Sequence, residues 1–105
     1  MANTFKSYPS AGVTTLATVF TGPTATETTI IGMTIANTTA SNVTCSVVFS
    51  DGSATVYLVK DATILPGGSL VPVGGDQKVV IEAADTIAVS ASGAVDCLVS
   101  VLEVS

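Results

Sequence analysis

The side chains that carry most enzyme chemistry are rare in this 105-residue sequence. It has no His, and three Lys stand against eight Asp and Glu. Without His, the Ser-His and Cys-His dyads of nucleophilic catalysis cannot form. A Ser-Lys dyad is possible by count, but we interpret Lys60 and Lys78 as charges at sheet edges that discourage unwanted strand pairing. The composition therefore argues against an enzyme.

The carboxylates are the remaining candidates for acid–base chemistry or metal binding. Glu82 and Asp85 could act as the paired acids of a glycoside hydrolase, and Asp51, Asp61 or Asp76 could bind calcium. A glycosidase also needs aromatic platforms, and the chain has two Tyr, three Phe and no Trp. No D-x-D-x-D-G loop is present. We interpret these acids as turn and surface residues and expect no metal and no cofactor.

Two glycine-rich segments could cradle phosphate in principle. They are Pro66-Gly67-Gly68-Ser69 and Gly74-Gly75-Asp76-Gln77-Lys78. Neither has the G-x-x-x-x-G-K-[ST] spacing and neither opens a helix. We interpret both as turns in which glycine supplies a positive φ.

Charge and hydropathy narrow the choice of partners. The net charge is −5, so three scattered Lys cannot form a basic stripe for nucleic acid or a polybasic patch for a membrane surface. No apolar run reaches the roughly 18 residues of a membrane helix. The mean hydropathy of +0.68 is nevertheless high. Either another chain covers some apolar surface, or Ala and Val inflate the index.

The two cysteines, Cys45 and Cys97, form no C-x-x-C pair. Their separation is similar to that of the inter-sheet bridge of an immunoglobulin domain, but the Trp that packs on that bridge is absent. Both lie among Val residues, which is typical of small buried hydrophobic side chains. A disulfide requires their strands to oppose each other, and we favour free thiols.

Short runs rich in Thr and Val, separated by turn residues, predict an all-β protein. We expect an antiparallel β-sandwich of about eight strands, jelly-roll or immunoglobulin-like, with an up-and-down barrel as the alternative. Gly32 predicts a bulge or a close backbone approach, and Asp51-Gly52 predicts a tight hairpin. The expected strands are Val13–Phe20, Glu27–Asn37, Val43–Ser50, Thr55–Ile64, Ser69–Val73, Lys78–Glu82, Thr86–Ala91 and Val95–Val104.

The predicted organisation is one β-sandwich domain, residues 13–105, preceded by an extended arm, residues 1–12. Pro9, Ser10 and Gly12 are expected to break any regular element in that arm. The last strand has apolar residues on both faces, so its second face needs a cover. The arm or a neighbouring subunit could supply it.

Several segments together resemble small β-sandwich virion structural proteins of tailed bacteriophages. They are Asn3-Thr4-Phe5-Lys6, Thr29-Ile30-Ile31-Gly32-Met33-Thr34-Ile35-Ala36-Asn37, Pro66-Gly67-Gly68-Ser69, and Gly74-Gly75-Asp76-Gln77-Lys78-Val79-Val80-Ile81-Glu82-Ala83-Ala84-Asp85-Thr86-Ile87. The resemblance covers most of the chain. At Ala84 the related patterns often carry Gly, and this departure puts the geometry of that corner in doubt.

The resemblance implies a non-enzymatic structural protein that is assembled into virions in the host cytoplasm. Such proteins decorate or cement the capsid, often as trimers, or belong to the neck, tail or fibre. The expected partners are the major capsid protein or other virion subunits, and copies of the chain itself. A carbohydrate-binding adhesin is a further hypothesis, in which Tyr8, Phe20, Phe49 and Tyr57 would stack on sugars. The expected contact residues are Asn3, Thr4, Phe5, Lys6, Tyr8, Pro66, Gly67, Gly68, Ser69, Gly74, Gly75, Asp76 and Gln77.

Overall fold

The protein is described here by a computed structural model that covers residues 3–74 and 78–105. These residues form two antiparallel sheets. The strands are β1 (Asn3–Val13), β2 (Ala17–Thr21), β3 (Glu27–Asn37), β4 (Val43–Ser50), β5 (Thr55–Ile64), β6 (Ser69–Val73), β7 (Val79–Ile81), β8 (Thr86–Ala91) and β9 (Val95–Val104). The all-β sandwich predicted from the sequence is confirmed.

The strand order makes the sandwich a jelly roll. The first sheet has the order β1-β9-β3-β6, with β7 also paired to β3, and the second sheet has the order β2-β8-β4-β5. Each early strand thus pairs with its counterpart from the other end of the chain: β1 with β9, β2 with β8, β3 with β6 and β7, and β4 with β5. A long antiparallel hairpin folded over into two sheets has this nested pairing. An up-and-down barrel would instead pair consecutive strands throughout.

The predicted arm is corrected by the structure. Residues 3–13 are an edge strand of the first sheet, with Asn3 opposite Val104 and Ser10 opposite Cys97. An edge strand tolerates Pro9 because its outer side has no ladder hydrogen bonds to lose. Gly12 has a φ of +66° and lies in a bulge between Ser10 and Val13. The residues expected to break a strand are therefore accommodated inside it.

The hydrophobic core lies between the two sheets and consists mainly of Val and Ile. Ile30, Met33 and Ile35 of β3 and Val99 and Val101 of β9 are almost completely buried on the first sheet. The second sheet contributes Val47, Ile87 and Val89, which are also fully buried. At roughly 1.5–3 kcal/mol for each large side chain removed from water, this layer is the main source of stability.

Asn37 links the two sheets at one end of the sandwich. Its side-chain amide donates to the carbonyl of Ile64 at 2.9 Å and to that of Ser41 at 2.8 Å. Its backbone accepts from Gly67 and donates to Gly68, at 3.2 and 3.0 Å. The turn that contains Pro66 is thereby held against the end of β3.

The predicted bulge is present, and a hairpin forms at Asp51-Gly52, although Gly52 and not Asp51 has a positive φ and the loop is longer than a tight two-residue turn. The pairing of β3 with β9 shifts register between Ile30 and Gly32. The β4–β5 hairpin has four loop residues, closed by a bond from the Asp51 amide to the Ala54 carbonyl at 3.2 Å. The Asp51 carboxylate accepts from the amides of Ser53 and Ala54, and these bonds lower its pKa.

The corner between β7 and β8 packs tightly against the residue that follows β2. The Gly22 amide donates to the Asp85 carbonyl at 2.8 Å, and the Ala84 amide donates to the Gly22 carbonyl at 3.0 Å. A Cβ on Gly22 would lie 2.1 Å from the carbonyl oxygen of Glu82, so only glycine fits there. Ala84 has a φ of +72°, a left-handed conformation that costs a non-glycine residue roughly 1–2 kcal/mol.

We predict that Ala84→Gly stabilises the protein by about 0.5–1 kcal/mol. Glycine adopts the left-handed conformation without a steric cost. Part of this gain is lost because glycine also raises the conformational entropy of the unfolded chain. Urea denaturation measures the change. Ala88→Gly, in the middle of β8, is the matched control and should cost a similar amount. A loss of stability in both variants would show that Ala84 is not strained.

Candidate interaction surface

Strand β9 has apolar side chains on both faces, but only one face is buried. Val95, Cys97, Val99 and Val101 point into the core and are 3% exposed or less. Leu98 on the other face is 44% exposed. Leu102 and Val104 lie on the same outer face and are partly exposed. Strand β1 lies beside β9 and not over it, so nothing in the described chain covers this outer face.

The exposed side chains of the neighbouring strands extend this surface. The register places Phe5, Leu102, Thr29 and Val80 in one row across β1, β9, β3 and β7. Phe5 is 72% exposed and Val80 is 66% exposed. We call this outer side of the first sheet the apolar face and define it by Phe5, Val80, Leu98, Leu102 and Val104. Exposed apolar side chains grouped on one face of a sheet are typical of a protein-binding site.

A groove of about 380 Å³ crosses one end of the apolar face. Strand β9 contributes Asp96 and Leu98, β1 contributes Pro9 and Ala11, and β3 contributes Thr34 and Ala36. The groove opens where the short side chain of Ala36 lies opposite Asp96 and where β1 bulges beyond Ser10. We call it the Asp96 groove.

Asp96 is the charged residue of this groove. Its Oδ1 atom accepts a hydrogen bond from the Gly12 amide at 3.0 Å. Among the described residues, this carboxylate accepts no other hydrogen bond. The remaining lining residues are apolar or carry a hydroxyl or thiol. The groove therefore combines apolar walls with one fixed negative charge.

A second polar cluster joins the first and last strands on the inner side of the same sheet. The Tyr8 hydroxyl donates to Oε2 of Glu103, and the Lys6 ammonium lies 3.7 Å from Oε1. The Tyr8 ring packs edge-on against Phe20 of the second sheet, with 4.9 Å between ring centroids. The hydrogen bond to the carboxylate, together with burial, raises the pKa of Tyr8 from 10.0 to about 12. These contacts anchor β1 to both sheets.

The outer face of the second sheet has a different character. One row contains Thr21, Thr86, Ser50 and Thr55, which are hydroxyl-bearing side chains. Tyr57 is its exposed large ring, and the Lys60 ammonium lies 5.2 Å from the ring centroid. Every side chain of this row carries a hydroxyl, whereas the row described above on the first sheet contains Phe5, Leu102 and Val80.

The structure distributes the contact residues expected from the sequence over several places. Asn3 and Phe5 lie on the apolar face, because they pair with Val104 and Leu102, whereas Thr4, Lys6 and Tyr8 face inward. Pro66 and Gly67 form a turn, and Ser69 begins β6 near the Asp96 groove, since Ser69 pairs with Ala36. Gly74 follows β6. Gly75, Asp76 and Gln77 lie outside the described residues.

Of the two acids considered for catalysis, Asp85 has a structural role in the described chain. The carboxylate of Asp85 accepts from the Glu82 amide at 2.9 Å and closes the corner. Asp61 has a φ of +51°, and its amide donates to the Ser46 hydroxyl at 2.9 Å. No group of three or more Cys, Asp or Glu within residues 3–74 and 78–105 is placed to hold a metal ion.

The two cysteines are free and buried. Burial raises the pKa of both thiols, and for Cys97 burial and the nearby Cys45 raise it to about 11.

In the described residues no helix is long and apolar enough to span a membrane.

Comparisons with known proteins return no match, whether to a family model, to a curated protein or to a solved structure.

The sequence predicted the turn at Pro66-Gly67 but neither the strand β1 nor the Asp96 groove. Pro9, Asp96 and Leu98 come together only through the pairing of β1 with β9. The available signal was the alternation in β9, which places Asp96 on the same outer face as Leu98. Its neighbours Ala36 and Ala11 carry no sequence signal of their own.

We predict that Tyr8 ionises near pH 12. Phenolate absorbance in a Tyr57→Phe variant, which retains Tyr8 as its one tyrosine, measures this directly. The raised pKa means that the hydrogen bond stabilises the fold fully below pH 10 and that this contribution is lost as the pH rises through 12. Tyr8→Phe should therefore lower the free energy of unfolding by about 1 kcal/mol near neutral pH. The difference in stability between the variant and the wild type should vanish once the pH exceeds the pKa of Tyr8. Ionisation of Tyr8 near pH 10 would contradict the bond.

We also predict that Cys45 and Cys97 are inert in the native protein. Their raised pKa values leave little thiolate near neutral pH, and burial limits access. A disulfide reagent should react more than about 100-fold faster after denaturation. Two equivalents of rapid reaction in the native state would show that the thiols are accessible.

Proposed function

We propose that the protein is a non-enzymatic structural subunit of a phage virion, which decorates the head by binding its shell through the apolar face. The observation that carries this proposal is the exposed outer side of β9, with Leu98 44% and the adjacent Phe5 72% exposed. A solitary protein gains nothing from these side chains, whereas a subunit that docks on a lattice removes them from water.

The dimensions of the apolar face suit a protein interface. The outer side of the first sheet consists of β1, β9 and β3, with β6 and β7 together along the far edge of β3. With strands about 4.8 Å apart and a rise of about 3.4 Å per residue, this side presents roughly 600 Å². A standard interface buries about 800 Å² on each partner. Many copies on a repeating shell add avidity, so each contact needs only modest affinity.

The jelly roll and the resemblance support the same proposal. Jelly rolls occur in viral capsid proteins as well as in lectins and cupins, so the fold alone does not choose among them. The segments that resemble phage virion proteins include the first four residues of β1, most of β3 and the corner at Ala84. Ala84 lies in the left-handed region, which accounts physically for the Gly of the related patterns at that place.

A neck, tail or fibre location and a trimeric state are further proposals, which the resemblance alone supports. The adhesin hypothesis has less support, because Phe20 is 3% exposed and packs against Tyr8. Of the four rings it requires, Tyr57 is the one that is more than half exposed.

We predict that Leu98→Ser weakens binding to phage heads assembled without this protein by about 3- to 10-fold. Leu98 is 44% exposed, and covering that remaining part of a leucine contributes roughly 0.7–1.3 kcal/mol. Co-sedimentation of the purified chain with the heads measures the affinity. Tyr57→Ser on the opposite sheet is the control for loss of an exposed apolar side chain and should change binding less than twofold.

Thermal melting establishes that both variants fold. Failure of the wild-type protein to bind the heads would contradict the proposed function. Equal losses for the two variants would contradict the assignment of the apolar face.

A further inference from the structure

We infer that the Asp96 groove accepts a lysine or arginine side chain that projects from the partner's surface, with the cation paired to Asp96 and its aliphatic stem packed along the apolar walls. The inference rests on the proposed function, since it assumes that the apolar face docks on another protein. It adds the chemistry by which that partner is recognised.

The shape of the groove fits a long side chain. Its volume of about 380 Å³ lies within the range of about 300–1,000 Å³ found for binding sites of small molecules. Pro9 and Leu98 are opposite each other in the β1–β9 register, and Leu98 is opposite Thr34 on the other side. These residues form a wall next to the carboxylate. Lys and Arg characteristically lay apolar stems along such a wall while the charged end meets a polar group.

The electrostatics of the groove specify a cation. The Gly12 amide holds one carboxylate oxygen of Asp96 at 3.0 Å, which fixes the orientation of the carboxylate before a ligand arrives. The other oxygen accepts no hydrogen bond from the described residues. Lys6 pairs with Glu103 on the inner side of the sheet, and Lys60 lies on the second sheet. An ammonium or guanidinium group from a partner would complete the site.

A side chain fits this site better than a metal ion. Calcium takes six to eight oxygen ligands, whereas the groove offers one carboxylate and mainly apolar neighbours. A neutral apolar side chain would desolvate Asp96 without pairing it, which is unfavourable. The combination of one oriented acid with aliphatic walls therefore selects for a partner that presents Lys or Arg within an apolar surface.

The first test uses small analogues of the two side chains. We expect n-butylammonium and n-propylguanidinium to shift the amide NMR signals of Gly12, Asp96 and Leu98 saturably, with affinities in the millimolar range. Asp96→Asn should abolish these shifts while it preserves the bond from Gly12, because the asparagine oxygen can also accept. Asp61→Asn removes one carboxylate from the opposite sheet and should leave them unchanged. No saturable shift in the wild type, or equal shifts in Asp96→Asn, would overturn the inference.

The second test measures binding to phage heads. Asp96→Asn should weaken it roughly five- to tenfold and Asp96→Lys more strongly, as expected for loss and reversal of one interfacial charge. Added salt should weaken the wild type and Asp61→Asn but affect Asp96→Asn less. Wild-type levels of binding by Asp96→Lys would overturn the inference but leave the proposed function standing. Absence of head binding by the wild type would count against the proposed function, while the analogue titration still judges the groove by itself.

Discussion

The structure depends on a mismatch in its last strand, between the number of apolar faces and the number of faces that the fold buries. β9 carries apolar side chains on both faces, but a two-layer sandwich buries only one face of each sheet. Val95, Cys97, Val99 and Val101 enter the core, and their burial holds the first sheet against the second. The outer row that includes Leu98 remains in contact with water. When another molecule covers this exposed apolar row and removes it from water, the free energy of the system falls.

The role of β1 explains why the chain does not resolve this mismatch by itself. An extended arm laid over β9 would cover the outer row, but the backbone of β9 also needs hydrogen-bond partners at its edge. In the structure β1 satisfies that requirement along its length. The contacts of Lys6 and Tyr8 with Glu103, 97 and 95 residues away in sequence, then lock the two ends of the jelly roll together. β1 therefore pairs with the edge of β9 and leaves the outer face of β9 uncovered.

Much of the fold was predictable because alternation of apolar and polar residues is a local property. The bounds expected for the strands at 27–37, 43–50, 55–64, 69–73, 86–91 and 95–104 agree with the structure. The first strand was missed because Pro9 and Gly12 normally break strands, and the sequence does not show that they lie at an edge and in a bulge. The choice of a jelly roll over an immunoglobulin-like sandwich also depends on long-range pairing. The same limit applies to the site, since Asp96 and Pro9 meet only after β1 and β9 have paired.

The central claim is that the outer side of the first sheet is the contact surface of this protein. A cryo-electron microscopy reconstruction of phage heads that carry the protein tests it most directly, because the orientation of the two sheets relative to the shell is visible. The account predicts that Phe5, Leu98 and Leu102 face the shell and that Tyr57 faces solvent. A reconstruction in which the apolar face points into solvent, or in which the heads carry no density for the protein, would contradict it.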